Sequence, residues 1–328
     1  MLIAGAGQLG SRYLQGLAKC SNLLRVYVVD PSPGSRRMAA MRWQEVGGGA
    51  SHHVVSYHDD LEEVATNLDL AIVATTASVR PTVVEGIASH AGVGQWILEK
   101  VLARSEGDLN RIVDAISEPA SAWVNTWARM TPWYRQIRSQ LDDSSVRFGI
   151  TGGSWGLACN AIHVLDLMEW WTGEDLVGVD AAGLDPEWLP SRRPDNLEVS
   201  GILAATYSGG SYGLLSATRP LALNEPAGGS MPDVLWIESP LLRWDIDQPF
   251  NELGGCASAS DGQEVHGRIE YQTERTAPLA DSLLNTGLCG LTDLTTSVSQ
   301  HRILLRGLLE RWRERKVDGS DADRVPIT

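Results

Sequence analysis

The chain has 328 residues, 43% of them hydrophobic and 21% charged, and a formal net charge of −14. That length suits two ordinary domains, and that acidity repels phosphate backbones, which argues against nucleic acid as a partner. There is no run of about 18 apolar residues to span a membrane and no basic segment followed by an apolar one to mark a secretory leader. Cys20, Cys159, Cys256 and Cys289 have neither C-x-x-C nor zinc-ligand spacing. The expectation is a cytoplasmic, reduced protein without metal or membrane contact.

Residues 1–4 form a short apolar strand that reads as short or clipped, followed by glycines, an amphipathic helix over 9–18 and a strand over 25–30. Strand, Gly-rich turn, helix and strand within about 30 residues make a βαβ unit. The alternation continues with a helix over 36–46, a strand over 68–74 and a helix over 80–90. A strand over 95–99, a helix over 108–117 and a strand over 122–125 follow. The apolar run Leu68-Asp69-Leu70-Ala71-Ile72-Val73-Ala74, interrupted only by Asp69, fits a strand covered on both faces. Such alternation predicts a doubly wound parallel sheet.

The pattern changes near residue 145. Strands are predicted over 146–151, 199–207, 212–218, 234–238, 241–246 and 265–272, with hairpin turns at Ser208-Gly209-Gly210-Ser211 and Ser239-Pro240. A long amphipathic helix follows over 291–315, and the tail after Val317 is polar and loose. The predicted fold class is α/β, an N-terminal Rossmann doubly wound parallel sheet plus a C-terminal α/β domain with an open antiparallel sheet. The first domain is placed at 1–125 and the second, for substrate and oligomerisation, at 126–328. The pattern leaves open that the last helix packs back on the first domain.

Gly5-Ala6-Gly7-Gln8-Leu9-Gly10 fits G-x-G-x-x-G in the context the motif requires, after a strand and opening a helix. Gly5 serves the tight turn, Gly7 the close approach of a pyrophosphate, and Gly10 the packing of helix on strand. The helix N-terminus, at Gln8 and Leu9, then faces the phosphate charge. Asp30 ends the second strand twenty residues after Gly10, where a carboxylate hydrogen-bonds the adenosine ribose. Such a carboxylate repels a 2′-phosphate, so NAD is favoured over NADP. Ser32, Ser35, Arg36 and Arg37 lie close behind and could hold a 2′-phosphate if Asp30 turned aside. Ligands of doubly wound sheets bind at the carboxyl ends of strands, which adds Thr75, Thr76, Glu99 and Lys100 to the expected cofactor contacts. Lysine is scarce, only Lys19, Lys100 and Lys316, so one at a strand end points to chemistry as well as to a surface pair with Glu99.

A second segment runs from Gly152 to Asp166. Asn160 is a plausible N-cap and Thr172-Gly173 a plausible stop. His163 then lies in the first helical turn, where the helix dipole disfavours imidazolium and leaves a neutral proton acceptor. Asp166, three residues on, could orient the imidazole or help pack the helix. Cys159 reads as packing rather than nucleophile. Twelve tryptophans against two phenylalanines put Trp127, Trp133 and Trp155 near this segment, as sugar-stacking faces or as core. Trp170 and Trp171 read as core. Tyr134 and Arg135 are candidate substrate contacts; Arg129 is a candidate for an anionic group on substrate or cofactor, and reads equally as a surface residue.

Taken together, GAGQLG at 5–10, Glu99-Lys100, Val124-Asn125 followed by Arg129, and the glycine-led helix with His163 and Asp166 resemble the glucose–fructose oxidoreductase, inositol dehydrogenase and MocA family. The resemblance spans nearly the whole chain. It implies a Rossmann domain followed by an α/β domain whose open sheet makes an oligomer contact, hence a homo-oligomer, dimer or tetramer. It also implies that Lys100 and His163 flank a sugar-like substrate, with His163 shuttling the proton during hydride transfer. Tyr134, Trp155, Asn160 and Arg129 complete the expected substrate side. Three departures stand out. Val101 replaces the usual proline after Glu-Lys. Cys159 stands four residues before His163, where many members carry an acid. Residues 75–80, Thr-Thr-Ala-Ser-Val-Arg, replace a Pro and a His. The run around Lys100 with Cys159-Asn160 resembles a subgroup associated with bacterial surface-sugar gene clusters. The function expected is an NAD-dependent dehydrogenase acting on a CH–OH carbon of a sugar, aminosugar or nucleotide sugar. The alternatives are an NAD-dependent lyase or glycosidase that retains its cofactor, and a non-catalytic nicotinamide-binding accessory protein.

Overall fold

In a computed structural model that describes residues 1–48, 52–116, 121–142, 144–220, 227–228, 231–314 and 322–328, the chain forms two compact units. One comprises 1–103, 107–125 and 270–296, the other 104–106, 126–269 and 297–328. In chain order the elements begin with β1 (Leu2–Ala4), α1 (Gln8–Leu17), β2 (Arg25–Val29), α2 (Pro33–Glu45), β3 (Val54–His58), β4 (Asn67–Val73), α3 (Arg80–His90), β5 (Gly92–Leu98), α4 (Glu106–Ala115) and β6 (Ala122–Val124). They continue with α5 (Pro132–Arg138), β7 (Arg147–Gly152), α6 (Leu157–Thr172), β8 (Leu176–Asp180), β9 (Leu189–Pro190), β10 (Leu197–Glu198), β11 (Gly201–Tyr207) and β12 (Tyr212–Ala217). The last are β13 (Pro232–Glu238), β14 (Arg243–Asp247), β15 (Gly255–Ala259), β16 (Glu264–Gly267), α7 (Gln272–Thr286), β17 (Thr292–Asp293) and α8 (Leu294–Glu314). A 3-10 turn at Trp127–Met130 precedes α5.

The first unit is a Rossmann-type sheet in the order β17-β6-β5-β4-β1-β2-β3, parallel except for β17. β1 lies between β2 and β4, so strand order reverses there and the carboxyl ends of β1 and β4 frame the crevice where such sheets bind ligands. The side chains of Leu2, Ile3, Leu70 and Ile72 are fully buried, as the apolar runs require. α7 packs on α1 through a small-residue contact, since a Cβ on Gly16 would come within 2.6 Å of Thr276 Cβ.

The segment after α1 is pinned to α7 by one carboxylate. Asp281 accepts hydrogen bonds from the Ser21 amide and hydroxyl (2.9 and 2.5 Å), the Asn22 amide and side chain (3.1 and 2.7 Å) and the Cys20 thiol (3.1 Å). Burial raises the Asp281 carboxyl's pKa, but the donors of Ser21, Cys20 and Asn22 outweigh it and hold the group below the usual carboxylate range. Burial and Asp281 push the Cys20 thiol up to about 12. A depressed folded-state pKa means stability present above the unfolded value near ~3.9 and lost as pH falls below it. Asp281→Asn is therefore expected to cost about 1–2 kcal/mol at pH 7. Urea unfolding of both proteins should show that gap beginning to narrow below about pH 4 and still shrinking as pH falls towards the folded-state value, and a pH-independent gap would assign the loss to packing instead.

The second unit is built on a mostly antiparallel sheet in the order β16-β15-β14-β13-β7-β12-β11-β8, in which only the β7–β12 pair is parallel. Alternation along β7 and β12 buries Phe148, Ile150, Leu215 and Ala217 on one face and turns Arg147, Thr151, Tyr212 and Leu214 outward. The Ser208–Ser211 hairpin forms as predicted, joining β11 to β12.

Several boundaries differ from expectation. α2 starts three residues early because Ser32 caps it and Pro33 sits at its first turn. Residues 268–272 are not strand. The Glu274 carboxylate accepts from the Tyr271 amide at 2.8 Å, and α7 starts at Gln272. β3, β8, β15, α5 and α7 were not predicted. Ser117, Arg315 and residues 317–321 of the predicted elements and tail lie outside the described residues. Among the described residues no helix is long and apolar enough to cross a membrane.

Candidate functional site

In the first unit, Gly5, Gly7, Asp30, Asp59, Thr75 and Thr76 line a cleft of about 530 Å³, with Leu61, Val83, Gly86 and Ile87 among its apolar wall. Gly5 has φ +92°, and a Cβ on Gly10 would lie 1.7 Å from the Gly5 carbonyl oxygen, so both positions require glycine. Gly7, the α1 cap, is different. A Cβ there would meet nothing within 4 Å, because open space lies in front of the helix N-terminus. The first amides of a helix lack intrahelical partners, which presents those of Gln8, Leu9 and Gly10 to an anion, and the first turn of α1 carries no acid. The Thr75 hydroxyl oxygen is buried without a hydrogen-bond partner. Glycine turn, open helix end, orphan hydroxyl and carboxylates fit a dinucleotide.

Asp30 is held by the Ala6 amide on Oδ2 (2.7 Å) and by the Ser32 amide on Oδ1 (2.8 Å). Each oxygen keeps accepting capacity for a ribose hydroxyl. Ser32 accepts from the Ser35 amide and Arg36 donates to the Asp30 carbonyl at 2.5 Å, and neither is among the residues that line the cleft. Arg42, which the sequence reading missed, donates to the carbonyl (3.0 Å) and side-chain oxygen (2.6 Å) of Gln8 and to the Ser11 hydroxyl (2.5 Å). The Gln8 side chain is thereby fixed on α2 rather than offered to a ligand.

Glu99 and Lys100 follow β5. Glu99 is buried, and its Oε1 accepts from the Tyr13 hydroxyl (2.6 Å) and the Asn125 amide (2.7 Å), while the same amide reaches Gln272 at 3.1 Å. Glu99 is thus part of a network joining α1, β5, the end of β6 and α7. Burial and Glu99 push the Tyr13 hydroxyl's pKa well up, which keeps it a donor. Lys100 is partly exposed, and the Lys100–Val101 peptide is cis. The fully buried Arg80 guanidinium donates to the carbonyls of Thr75, Val101 and Leu102, tying the loop after β4 to the loop that carries Lys100. Its signal in the sequence was an arginine opening α3 at the place of the missing Pro and His.

In the second unit, α6 begins at Leu157, not at Asn160. Gly156 adopts φ +75° as N-cap, and the buried Glu198 carboxylate accepts from the Ala158 amide at 2.9 Å, a cap supplied by a distant strand. Asn160 lies inside the first turn and donates to the Trp155 carbonyl at 2.8 Å. His163 consequently sits in the second turn, where the dipole effect invoked for it has largely decayed. Gly173 ends the helix with φ +72°, as predicted.

His163 is buried at 4% exposure, and its ring packs on Trp127 with centroids 4.9 Å apart. Trp127 in turn meets Phe250 edge-on at 5.5 Å. One residue beyond the next on the same 3-10 turn, Arg129 grips the fully buried Asp166 with both ends of its fork, Nε to Oδ2 at 2.8 Å and Nη2 to Oδ1 at 2.7 Å. The guanidinium expected to meet substrate thus has Asp166 as a fixed partner. Tyr134 is fully buried, stacked on Trp133 with its hydroxyl on the Pro249 carbonyl. Trp155 is 1% exposed with its indole N–H on the Ser216 carbonyl at 2.8 Å. Both are core, not substrate contacts, because their apolar surface outweighs one polar atom that a backbone carbonyl satisfies. Cys159 faces the Gly156 carbonyl at 3.5 Å.

No family model and no curated protein sequence matches the chain. Solved structures do. The chain is similar to myo-inositol 2-dehydrogenase from Lactobacillus plantarum at 16% identity and TM-score 0.66, over 94% of this chain and 96% of that one. It is similar to scyllo-inositol dehydrogenase from Lactobacillus casei with bound NAD(H) and scyllo-inositol, at 15% identity and TM-score 0.65, over 95% and 96%. It is likewise similar to UDP-N-acetylglucosamine 3-dehydrogenase from Acidithiobacillus ferrooxidans, at 17% identity and TM-score 0.63, over 94% and 95%. The chain therefore has the fold of these inositol and sugar dehydrogenases, a Rossmann-type parallel sheet accompanied by an α/β unit on a mostly antiparallel sheet.

Proposed function

We propose that the chain is an NAD-dependent oxidoreductase that moves a hydride between nicotinamide and a carbinol carbon of a sugar, aminosugar or nucleotide sugar, and that it serves surface-glycan synthesis. The observation that carries this reading is the cleft of the first unit, with its glycine turn, unfilled helix N-terminus and Asp30. The neighbours with bound NAD(H) and with inositol or nucleotide-sugar substrates support it. Asp30, already oriented by two backbone amides, takes the adenosine ribose and rejects a 2′-phosphate. The nicotinamide, when bound, supplies the hydride acceptor or donor. Lys100 donates a hydrogen bond to the reacting hydroxyl and lowers its pKa, and His163 takes the proton. Residues 1–125 carry the cofactor side, and residues 126–328 carry the substrate side and self-association.

Energy transfer from tryptophan to bound nicotinamide tests this directly. NADH is expected to bind at least about tenfold more tightly than NADPH, a difference of about 1.4 kcal/mol. With a panel of inositols, sugars and UDP-aminosugars, turnover should fall about 10²–10⁴-fold in Lys100→Ala and His163→Ala while NADH still binds. Binding of neither cofactor to the folded, empty protein would end the dinucleotide reading. Full turnover in both variants would remove the catalytic assignment, and substrate conversion without net NADH would favour the retained-cofactor chemistry.

A further inference from the structure

The loops after β1, β2 and β3 are consecutive along the sheet. β2 pairs with β1 on one side and β3 on the other, in parallel, with Val29 opposite His58. Asp30 and Asp59, the next residues on each strand, are therefore neighbours at the carboxyl end of the sheet, and the Asp30 amide reaches the His58 carbonyl at 3.1 Å. Adjacent strands are about 4.8 Å apart, which is close to the step from a pyrophosphate to its ribose and from the ribose to its base. The order of groups along this edge is a glycine turn suited to phosphate, a carboxylate suited to a ribose diol, and then Asp59.

Resting on the dinucleotide reading above, we propose that Asp59 reads the exocyclic amine of the adenine, so that the cleft selects 6-aminopurine over 6-oxopurine dinucleotides. The far part of the cleft offers a flat base an apolar wall in Leu61, Val83, Gly86 and Ile87. A Cβ on Gly86 would meet only Leu61 Cδ1, at 4.0 Å, so the wall there is smooth backbone with space in front of it. Asp59 brings a full negative charge to this lining, where the Thr82 hydroxyl is engaged by Arg111 at 3.0 Å and remains a donor as well as an acceptor. Asp59 lines the cleft and takes no hydrogen bond from any described residue, whereas Asp30 is bound twice. An ionised carboxylate only accepts. It matches the N–H₂ at position 6 of adenine and opposes the carbonyl oxygen that replaces it in hypoxanthine.

The test compares direct binding of NADH and of reduced nicotinamide hypoxanthine dinucleotide to the wild-type protein and to Asp59→Asn. Asp59 is exposed, so the substitution leaves folding intact, and thermal unfolding checks this. The wild type is expected to prefer NADH by about tenfold, and the variant by less than about threefold, since an asparagine amide can donate to the 6-oxo group. A wild-type preference below about threefold, or an undiminished preference in the variant, overturns the assignment of Asp59 and leaves the dinucleotide reading standing. If neither dinucleotide binds the wild type, the dinucleotide reading itself fails and takes this assignment with it.

Discussion

Alanine at Asp166 is expected to destabilise the protein by about 3–5 kcal/mol, the loss seen when one partner of a buried ion pair is removed. The Asp166 side chain is fully buried and that of Arg129 is 15% exposed, so the guanidinium left behind has little water to turn to. Both carboxylate oxygens are engaged in a bidentate pair, the geometry in which charge-assisted hydrogen bonds are strongest. Arg129→Ala should cost a similar amount, and the double variant much less than the sum, because removing both charges leaves neither buried alone. Urea unfolding of the two single variants and the double variant measures this. Additive losses would mean that the pair contributes packing rather than charge compensation. The same 3-10 turn carries Trp127, whose ring lies against His163. Asp166→Ala should therefore also loosen the imidazole, read as a changed histidine ring signal in NMR, while Lys100 and its loop in the other unit keep their conformation.

Gly10→Ala and Gly7→Ala should have opposite signatures although they differ by three residues. At Gly10 the added Cβ would lie 1.7 Å from the Gly5 carbonyl oxygen and 2.9 Å from its carbon, both backbone atoms that no rotamer change removes. The turn must open, at a cost of about 1–3 kcal/mol, and NADH binding should be lost with it. At Gly7 the Cβ meets no protein atom within 4 Å, and the backbone there, φ −66°, suits any residue. Gly7→Ala should leave the unfolding midpoint in place yet weaken NADH by about tenfold or more, because the methyl enters the space assigned to the pyrophosphate. Thermal unfolding and NADH titration of both variants decide this. If Gly7→Ala binds NADH as the wild type does, that space is not where the phosphates lie.

Much of the first unit was legible because its signals are local. The order of strand, glycine turn, helix and strand depends on residues within one another's reach along the chain, and α3 at Arg80–His90 formed where predicted, as did the equally local hairpin at Ser208–Ser211 of the second unit. The substrate-side residues were less legible. Tyr134 and Trp155 carry polar atoms that suit a sugar, and nothing local shows that the Pro249 and Ser216 carbonyls satisfy them first. Asn160 has the right type for an N-cap, but Gly156 can adopt a left-handed conformation and Glu198, 40 residues away from Ala158, supplies the carboxylate, so the helix starts earlier. Arg42 and Arg80 were not singled out, because their partners are backbone carbonyls and side chains distant along the chain.

By itself the sequence determined the class of fold, the position of the glycine turn and the carboxylate that ends β2, because periodicity and turn chemistry act over a few residues. Only the tertiary structure decided which polar groups are already paired. Asp166 is committed to Arg129, Glu99 to Tyr13 and Asn125, and Asp281 to the segment after α1, while Asp59 and the Thr75 hydroxyl keep open acceptor sites along the cleft. The physical reason is that satisfying a buried polar group is a property of what packs around it, and those neighbours are brought together by the sheet rather than by the chain.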